Sequence, residues 1–362
     1  MKKYCLPEYP VKSDMWDMLS NEKRPIVVYG MGNGADKLFS RFEKYGIVPA
    51  EIFASDGFVR GHSFRGYKVR SFSEIKEKYS DFVIVLSFAS NREDVIEMLT
   101  KIDKEQEMYV PDMPVADESE YFDREFYNAH YEEICKAYDS LFDEESRRIF
   151  ALTVNYKLTG KLSYLLKACT EKGDMYSLIS EKEIKVMIDG GAYNGDTARE
   201  AVEYFPNISE IHAIEPDGKT FKRLLKYAET SPVRINAINA ALYSENRSGE
   251  FFSSGNRNST ASATASYRNK SESIPFITVD SLNISPDYIK YDVEGAEYEA
   301  LLGSLETIKK ARPVLLVSLY HRSRDLFCLP LMLLRELSGY RFYIRRLRSV
   351  PAWELNLILI PT

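Results

Sequence analysis

The sequence predicts an α/β protein in which two stretches of the chain each form a mainly parallel sheet. In the clearer stretch, residues 186–215, an apolar strand is followed by a glycine turn, a helix and a second strand that ends on an acid. This order is typical of a βαβ unit that binds a nucleotide beyond the carboxyl ends of its strands. Apolar strands and helices also alternate over residues 25–86, and such alternation favours a parallel sheet.

The glycine turn after the strand 186–188 indicates the ligand. Its glycines let the backbone approach a ligand closely, but its spacing differs from the G-x-G-x-x-G of dinucleotide enzymes. Asp189 places a carboxylate where a pyrophosphate would bind. A ligand with an ammonium and a sulfonium tolerates an acid there, which points to S-adenosylmethionine. Glu215, at the tip of the second strand, suits the two hydroxyls of a ribose.

Four ordered motifs cover roughly the second half of the chain. They are DGGAYNGDT from Asp189, IEPDGKTFKRL from Ile214, IKYDVEGAEYEALLG from Ile289 and SLYHRSRDL from Ser318. We expect Pro216 in the first turn of the helix that follows Glu215, and one continuous helix from about residue 297 to about residue 309. With these motifs the chain resembles the FkbM family of methyltransferases. The resemblance implies a seven-stranded Rossmann-like domain of the class I methyltransferase type and O-methylation, commonly of sugar or polyketide hydroxyls.

The residues expected to contact the donor lie at or near the carboxyl ends of strands. We expect Asp189 and the backbone of Gly191 to hold the methionine end, Glu215 to accept both ribose hydroxyls and Asn239 to face the adenine. The full set is Asp189, Gly190, Gly191, Ala192, Asn194, Thr197, Glu215, Pro216, Asn239, Ala240 and Asp292.

The candidate catalytic residues are Asp292, Glu294 and His321. A hydroxyl acceptor needs a base or a metal ion that lowers its pKa. Asp292 and Glu294 form a D-x-E pattern after the fourth main strand. Their carboxylates are candidates for the general base or for ligands of a hard cation such as Mg²⁺. Alternatively, Asp292 caps the following helix, and Glu297 shares this ambiguity. The imidazole of His321 suits proton transfer at neutral pH, although a lone histidine is often only packed.

The chain divides into three predicted parts. They are a small Rossmann-like N-terminal domain (1–118), a helical connector or lid (119–180) and the methyltransferase domain (181–362). The N-terminal part resembles the small domain that often precedes bacterial FkbM domains, which implies no chemistry by itself. We expect a truncated protein that starts near Asp117 to fold and bind the donor. The connector is either a solvated link with one packed face or a lid that contributes substrate contacts. It should contain two or three helices, one of them over residues 145–158 with Asp143 as its N-cap and Gly160 as its stop.

Two alternative functions depend on the N-terminal glycine turn. The turn Gly30–Ala35, with Asp56 in the position of a ribose ligand, resembles a dinucleotide fingerprint, but it could serve only to pack a strand against a helix. An NAD(P)-linked oxidoreductase or a nucleotide-sugar-binding protein would use this turn. A third alternative, a binding scaffold that kept the fold and lost activity, does not depend on it.

The composition of the chain limits the kinds of binding partner and metal site that we expect. A net charge of −6 gives no indication of a nucleic-acid or anionic-membrane partner. The four cysteines are far apart and form no C-x-x-C pattern, so no zinc site is predicted. We expect no signal peptide and no membrane span, and a cytoplasmic location. The expected partner is a small-molecule or glycan acceptor, and a homodimer is the candidate assembly. The polar run 253–272 is predicted to be a mobile surface loop.

Overall fold

The computed structural model describes residues 6–7, 11–59, 61, 63–116, 119–253 and 270–362. Most of the predicted loop 253–272 and the predicted truncation point Asp117 therefore lie outside the described residues. Within the described part, none of the helices has the length and apolar character needed to cross a bilayer.

The N-terminal part is a six-stranded sheet flanked by helices. Its strand order is β3-β4-β2-β1-β5-β6, and every pair is parallel except β3–β4. The sequence predicts α1, β1, α2, β2, β4, α3 and β5, all of which are present, whereas β3, α4 and β6 were not predicted. In chain order the elements are α1 (Met15–Ser20), β1 (Ile26–Tyr29), α2 (Asn33–Tyr45), β2 (Glu51–Ala54), β3 (Ser63–Phe64), β4 (Tyr67–Ser71), α3 (Phe72–Lys78), β5 (Val83–Leu86), α4 (Glu93–Glu105) and β6 (Met108–Tyr109).

The N-terminal glycine turn packs tightly against the end of β5. A Cβ on Gly34 would lie 2.1 Å from the carbonyl oxygen of Ser87, and one on Gly30 would lie 2.9 Å from Phe88 Cδ1. Asp56 accepts a hydrogen bond from the backbone N–H of Phe72 at 3.2 Å, beside the start of α3. These contacts favour the interpretation that the turn serves to pack the strands and the helix.

Five helices follow, where the sequence predicts two or three. They are α5 (Arg124–Ala129), α6 (Tyr131–Ser140), α7 (Glu144–Thr159), α8 (Leu162–Lys167) and α9 (Lys172–Ile179). The predicted ends of α7 are confirmed. Asp143 accepts the backbone N–H of Ser146 at 2.8 Å, and Gly160 ends the helix with a left-handed φ of 63°, as helix caps commonly do.

The C-terminal part is built on a seven-stranded sheet of order β15-β16-β14-β13-β7-β8-β9, in which β16 is antiparallel to both neighbours. This confirms the predicted Rossmann-like class I methyltransferase fold. A small sheet of order β10-β12-β11 adjoins it. The elements are β7 (Val186–Gly190), α10 (Asp196–Tyr204), β8 (Glu210–Ile214), α11 (Gly218–Ala228), β9 (Arg234–Ile238), β10 (Ala241–Leu242), β11 (Arg247–Ser253), β12 (Lys270–Ile277), β13 (Tyr288–Tyr291), α12 (Glu297–Leu302), α13 (Leu305–Ala311), β14 (Val314–Ser318), α14 (Asp325–Glu336), β15 (Tyr340–Arg346) and β16 (Leu355–Pro361).

Two local predictions were wrong. Pro216 precedes α11 instead of occupying its first turn, because Asp217 is the N-cap and accepts the N–H of Thr220 at 2.7 Å. The helix predicted from residue 297 to about 309 is interrupted between α12 and α13. At this break stands Gly303, where a Cβ would lie 2.1 Å from the carbonyl oxygen of Tyr243.

The connector helices are packed on both sides. Helix α7 lies against β15, and α6 lies against α14. On the other side, Tyr156, Leu162 and Val350 belong to the same buried cluster as the core of the N-terminal sheet, and Lys157 forms a buried ion pair with Asp112. The N-terminal part, the connector and the C-terminal sheet therefore share apolar contacts, while the predicted boundaries at 118 and 180 remain predictions.

Candidate functional site

A cavity of about 810 Å³ opens at the carboxyl ends of β7, β8 and β13. The turn after β7 and the tips of β8 and β13 form one wall, as expected for ligand sites in open α/β sheets. Residues 166 and 169–172 and helix α9 also line the cavity, and so do Asn91, Glu93 and Thr100 from the N-terminal part. Sequence patterns did not predict the N-terminal share of this lining.

The predicted donor residues divide into two groups. Those that line the cavity are Gly191, Thr197, Glu215, Pro216, Ala240 and Asp292. Those that are not among its lining residues are Asp189, Gly190, Ala192, Asn194 and Asn239.

Asp189 lies behind the cavity wall. It is fully buried, and neither carboxylate oxygen has a hydrogen-bond partner among the described residues. Burial, only partly offset by Lys290, raises the pKa of Asp189 to about 7. The Lys290 ammonium lies 4.0 Å from Asp189 Oδ1 and donates a hydrogen bond to Asp292 Oδ2 at 3.0 Å. Lys290 was missed in the sequence, although alternation along β13 puts residues 290 and 292 on one face.

Gly191 allows two strand ends to meet. It has a φ of +80°, and a Cβ there would lie 1.9 Å from the carbonyl oxygen of Asp292, so any other residue would separate the two ends. The N–H of Gly191 donates to the carbonyl of Ile214 at 3.0 Å. That N–H is thus engaged within the protein and is not available to the methionine end of a donor.

Glu215 is held in place by the backbone around it. Its two carboxylate oxygens accept the N–H groups of Tyr193 at 2.9 Å and Asp217 at 2.8 Å. Burial, opposed by these two bonds, raises the pKa of Glu215 to about 8. Each oxygen keeps a second lone pair for a ligand. Asn239, predicted to face the adenine, instead donates to the carbonyls of Glu215 and Pro216 at 2.8 and 3.1 Å and so supports this turn.

Asp292 is held as an anion. Its Oδ1 accepts the hydroxyls of Ser318 at 2.9 Å and Tyr320 at 2.8 Å, and its Oδ2 accepts from Lys290. Burial alone would raise the pKa of Asp292, but the positive charge of Lys290, followed by that of His321, holds it well below its usual range.

Glu294 lies beside Asp292 in a left-handed backbone conformation with φ of 53°, which is uncommon for a residue with a Cβ and occurs often at functional sites. Its side chain lines the cavity. Burial, with a further contribution from the negative charge of Asp292, raises the pKa of Glu294 to about 8.

His321 is 1% exposed and is not among the residues that line the cavity. Its Nε2 lies 3.6 Å from both Asp292 Oδ1 and Glu294 Oε2, and its Nδ1 lies 2.9 Å from Glu297 Oε1. Burial would lower the pKa of His321, but the surrounding carboxylates, Glu297 foremost, raise it to about 10. Its carbonyl accepts the N–H groups of Val115 and Ala116 at 3.0 and 2.9 Å.

Comparisons with known proteins agree with this architecture. Residues 189–342 match the family model of the methyltransferase FkbM domain. The crystal structure of methyltransferase FkbM from Methylobacillus flagellatus KT is similar in fold, with a TM-score of 0.68 and 17% identity over 93% of this chain and 90% of that chain. Precorrin-6y C5,15-methyltransferase from Geobacter metallireducens GS-15 matches with a TM-score of 0.32 and 13% identity, covering 53% of this chain and 90% of that chain. No curated protein matches the sequence.

Proposed function

Since residues 189–342 match the family model of the methyltransferase FkbM domain, we propose that this protein transfers a methyl group from S-adenosylmethionine to a hydroxyl of a sugar, a glycan or a secondary metabolite. The observation that carries the proposal is the cavity in which Gly191, Glu215 and Asp292 meet at the carboxyl ends of three neighbouring parallel strands.

The lining fits such a donor. Glu215 presents a carboxylate whose position is set by two backbone N–H groups, so it can accept a pair of ribose hydroxyls without reorganising. Asp196 and Thr197 line the same wall at the start of α10. When bound, S-adenosylmethionine supplies an electrophilic methyl group on a positively charged sulfur. The acidic lining around Glu215, Asp196 and Asp292 favours that positive charge.

For the acceptor, Asp292 and Glu294 are the candidate catalytic carboxylates because both line the cavity. Asp292 accepts hydrogen bonds from two hydroxyls and from Lys290, and taking up a proton would weaken those bonds. We therefore assign Asp292 to orienting the acceptor hydroxyl and Glu294 to accepting its proton. His321 lies behind these two carboxylates and acts on the acceptor only through them.

The test has two parts. Isothermal titration with S-adenosylmethionine, and with NAD(H) as the competing ligand, tests the donor. A screen with methyl-labelled donor over sugars, nucleotide-sugars and short glycans then tests the acceptor. Binding of NAD(H) in place of S-adenosylmethionine would overturn the proposal. The tight packing of the N-terminal glycine turn against Ser87 and Phe88 gives the oxidoreductase alternative no support.

A further inference from the structure

A buried cluster beside the cavity combines metal-ligand side chains from three elements. Asp292 follows β13, Glu297 begins α12 and His321 follows β14. One potential ligand atom from each of them lies within 4.8 Å of the other two. In sequence the three are 5 and 24 residues apart, a spacing that matches no common metal motif, so the fold alone brings them together.

Several buried polar atoms of this cluster have no hydrogen-bond partner. Among the described residues, neither ring nitrogen of His321 has one, and Glu297 Oε2 has none. Both side chains are 1% exposed. Buried polar groups in proteins are nearly always satisfied, and exceptions commonly mark a missing ion or water. These unpaired atoms lie within a single cluster and therefore point to a bound species.

The distances indicate which species fits. A protonated imidazole would donate aligned hydrogen bonds of about 2.7–2.9 Å to carboxylates. Instead, Nε2 is 3.6 Å from the nearest oxygens of Asp292 and Glu294. Nδ1 is 2.9 Å from Glu297 Oε1 but is not aligned for a hydrogen bond. At Nε2 the carboxylates thus lie at separations closer to those of ligands that share an ion than to those of hydrogen-bonded partners.

We propose that Asp292, Glu297 and His321 bind one divalent transition-metal ion. An imidazole combined with carboxylates suits Zn²⁺ or Mn²⁺ better than Mg²⁺, which prefers oxygen ligands alone. The hydroxyls of Ser318 and Tyr320 and the ammonium of Lys290 support Asp292 from outside the cluster, as partners of metal-bound carboxylates usually do.

The position of the cluster indicates what the ion does. Asp292 lines the cavity while His321 and Glu297 lie behind it, so the ion is held at the edge where an acceptor hydroxyl would bind. There its positive charge lowers the pKa of that hydroxyl and so favours transfer of the proton to Glu294. This role rests on the proposed function, whereas the binding of the ion does not.

Titration of the metal-stripped full-length protein with Mn²⁺, Zn²⁺ and Mg²⁺ tests the site. We expect one Mn²⁺ or Zn²⁺ ion per chain and weaker binding of Mg²⁺. His321→Ala and Glu297→Gln should each weaken Mn²⁺ binding by at least roughly 10–100-fold. His130→Ala is the matched control, because His130 also lies beside a glutamate, with Nδ1 2.6 Å from Glu133 Oε2, but on the surface. It should bind Mn²⁺ like the unchanged protein.

A measurement on the unchanged protein removes any dependence on how the variants fold. Electron spin-echo envelope modulation spectroscopy of bound Mn²⁺ should show a directly coordinated imidazole nitrogen. Absence of stoichiometric binding, binding without nitrogen coupling, or binding that survives His321→Ala would each overturn the site. Titration of the same samples with S-adenosylmethionine separates the two proposals, because donor binding without metal binding rejects only the metal site.

Discussion

Replacing Glu215 with alanine tests the donor assignment directly. The carboxylate is fixed at the tip of β8 by the N–H groups of Tyr193 and Asp217, so its free lone pairs point to one place. At pH 9, above the raised pKa of Glu215 of about 8, this carboxylate is charged, and a hydrogen bond to a charged group contributes about 1.5–3 kcal/mol. At about 1.4 kcal/mol per tenfold change in affinity, Glu215→Ala should raise the Kd for S-adenosylmethionine by roughly 10- to 150-fold.

Isothermal titration measures this change, and circular dichroism confirms folding. Glu210→Ala is the matched control, since Glu210 begins the same strand at the end away from the cavity, and its Kd should be unchanged. Because Glu215 also supports the turn at Tyr193, a second comparison isolates the ribose contact. The 2′-deoxy analogue of S-adenosylhomocysteine should lose less affinity from Glu215→Ala than the parent compound does, since coupled contacts are not additive. Unchanged donor affinity in a folded Glu215→Ala protein would refute the ribose assignment.

Three further predictions concern catalysis, domain independence and pH. Asp292→Asn keeps the shape but removes the charge that orients the acceptor, so we expect turnover to fall by roughly 10²-fold. Full turnover on the true acceptor would leave Asp292 as a structural residue only. Removal of residues 1–118 should cause aggregation, contrary to the expectation from sequence. The truncation exposes Tyr156, Leu162 and Val350 and removes Asp112, the ion-pair partner of Lys157. A soluble, cooperatively melting fragment that binds the donor would contradict this. The ligand-free protein should lose stability as the pH rises from about 4.5 to about 8. Folding raises the pKa of Glu215 from 4.5 to about 8, so over this pH range Glu215 holds a proton in the folded state and releases it on unfolding. Thermal melts at pH 5 and pH 8.5 measure this loss, which Glu215→Gln should reduce; an equal pH dependence in that variant would show that other groups cause it.

The sequence by itself determined the architecture and the position of the glycine turn after β7. The strands β7, β8 and β13 appear as short, mainly apolar runs, and each is followed by a glycine or an acidic residue at its carboxyl end. Because parallel strands bring these ends to one edge, the order of the strands along the chain is enough to predict that Gly191, Glu215 and Asp292 lie together. Local signals also sufficed for the cap at Asp143 and the stop at Gly160, since capping depends on neighbouring residues only.

Contacts between residues distant in sequence were decided only by the tertiary structure. Lys290 meets Asp189 because β13 pairs with β7, and Glu93 and Thr100 reach the cavity because the N-terminal sheet packs on the connector. His321 faces Glu297 because the segment after β14 is held next to the start of α12. Sequence periodicity reports which face of an element is buried but not which elements meet. For that reason the glycine turn after β7 could be predicted from the sequence, whereas the buried cluster behind Asp292 could not.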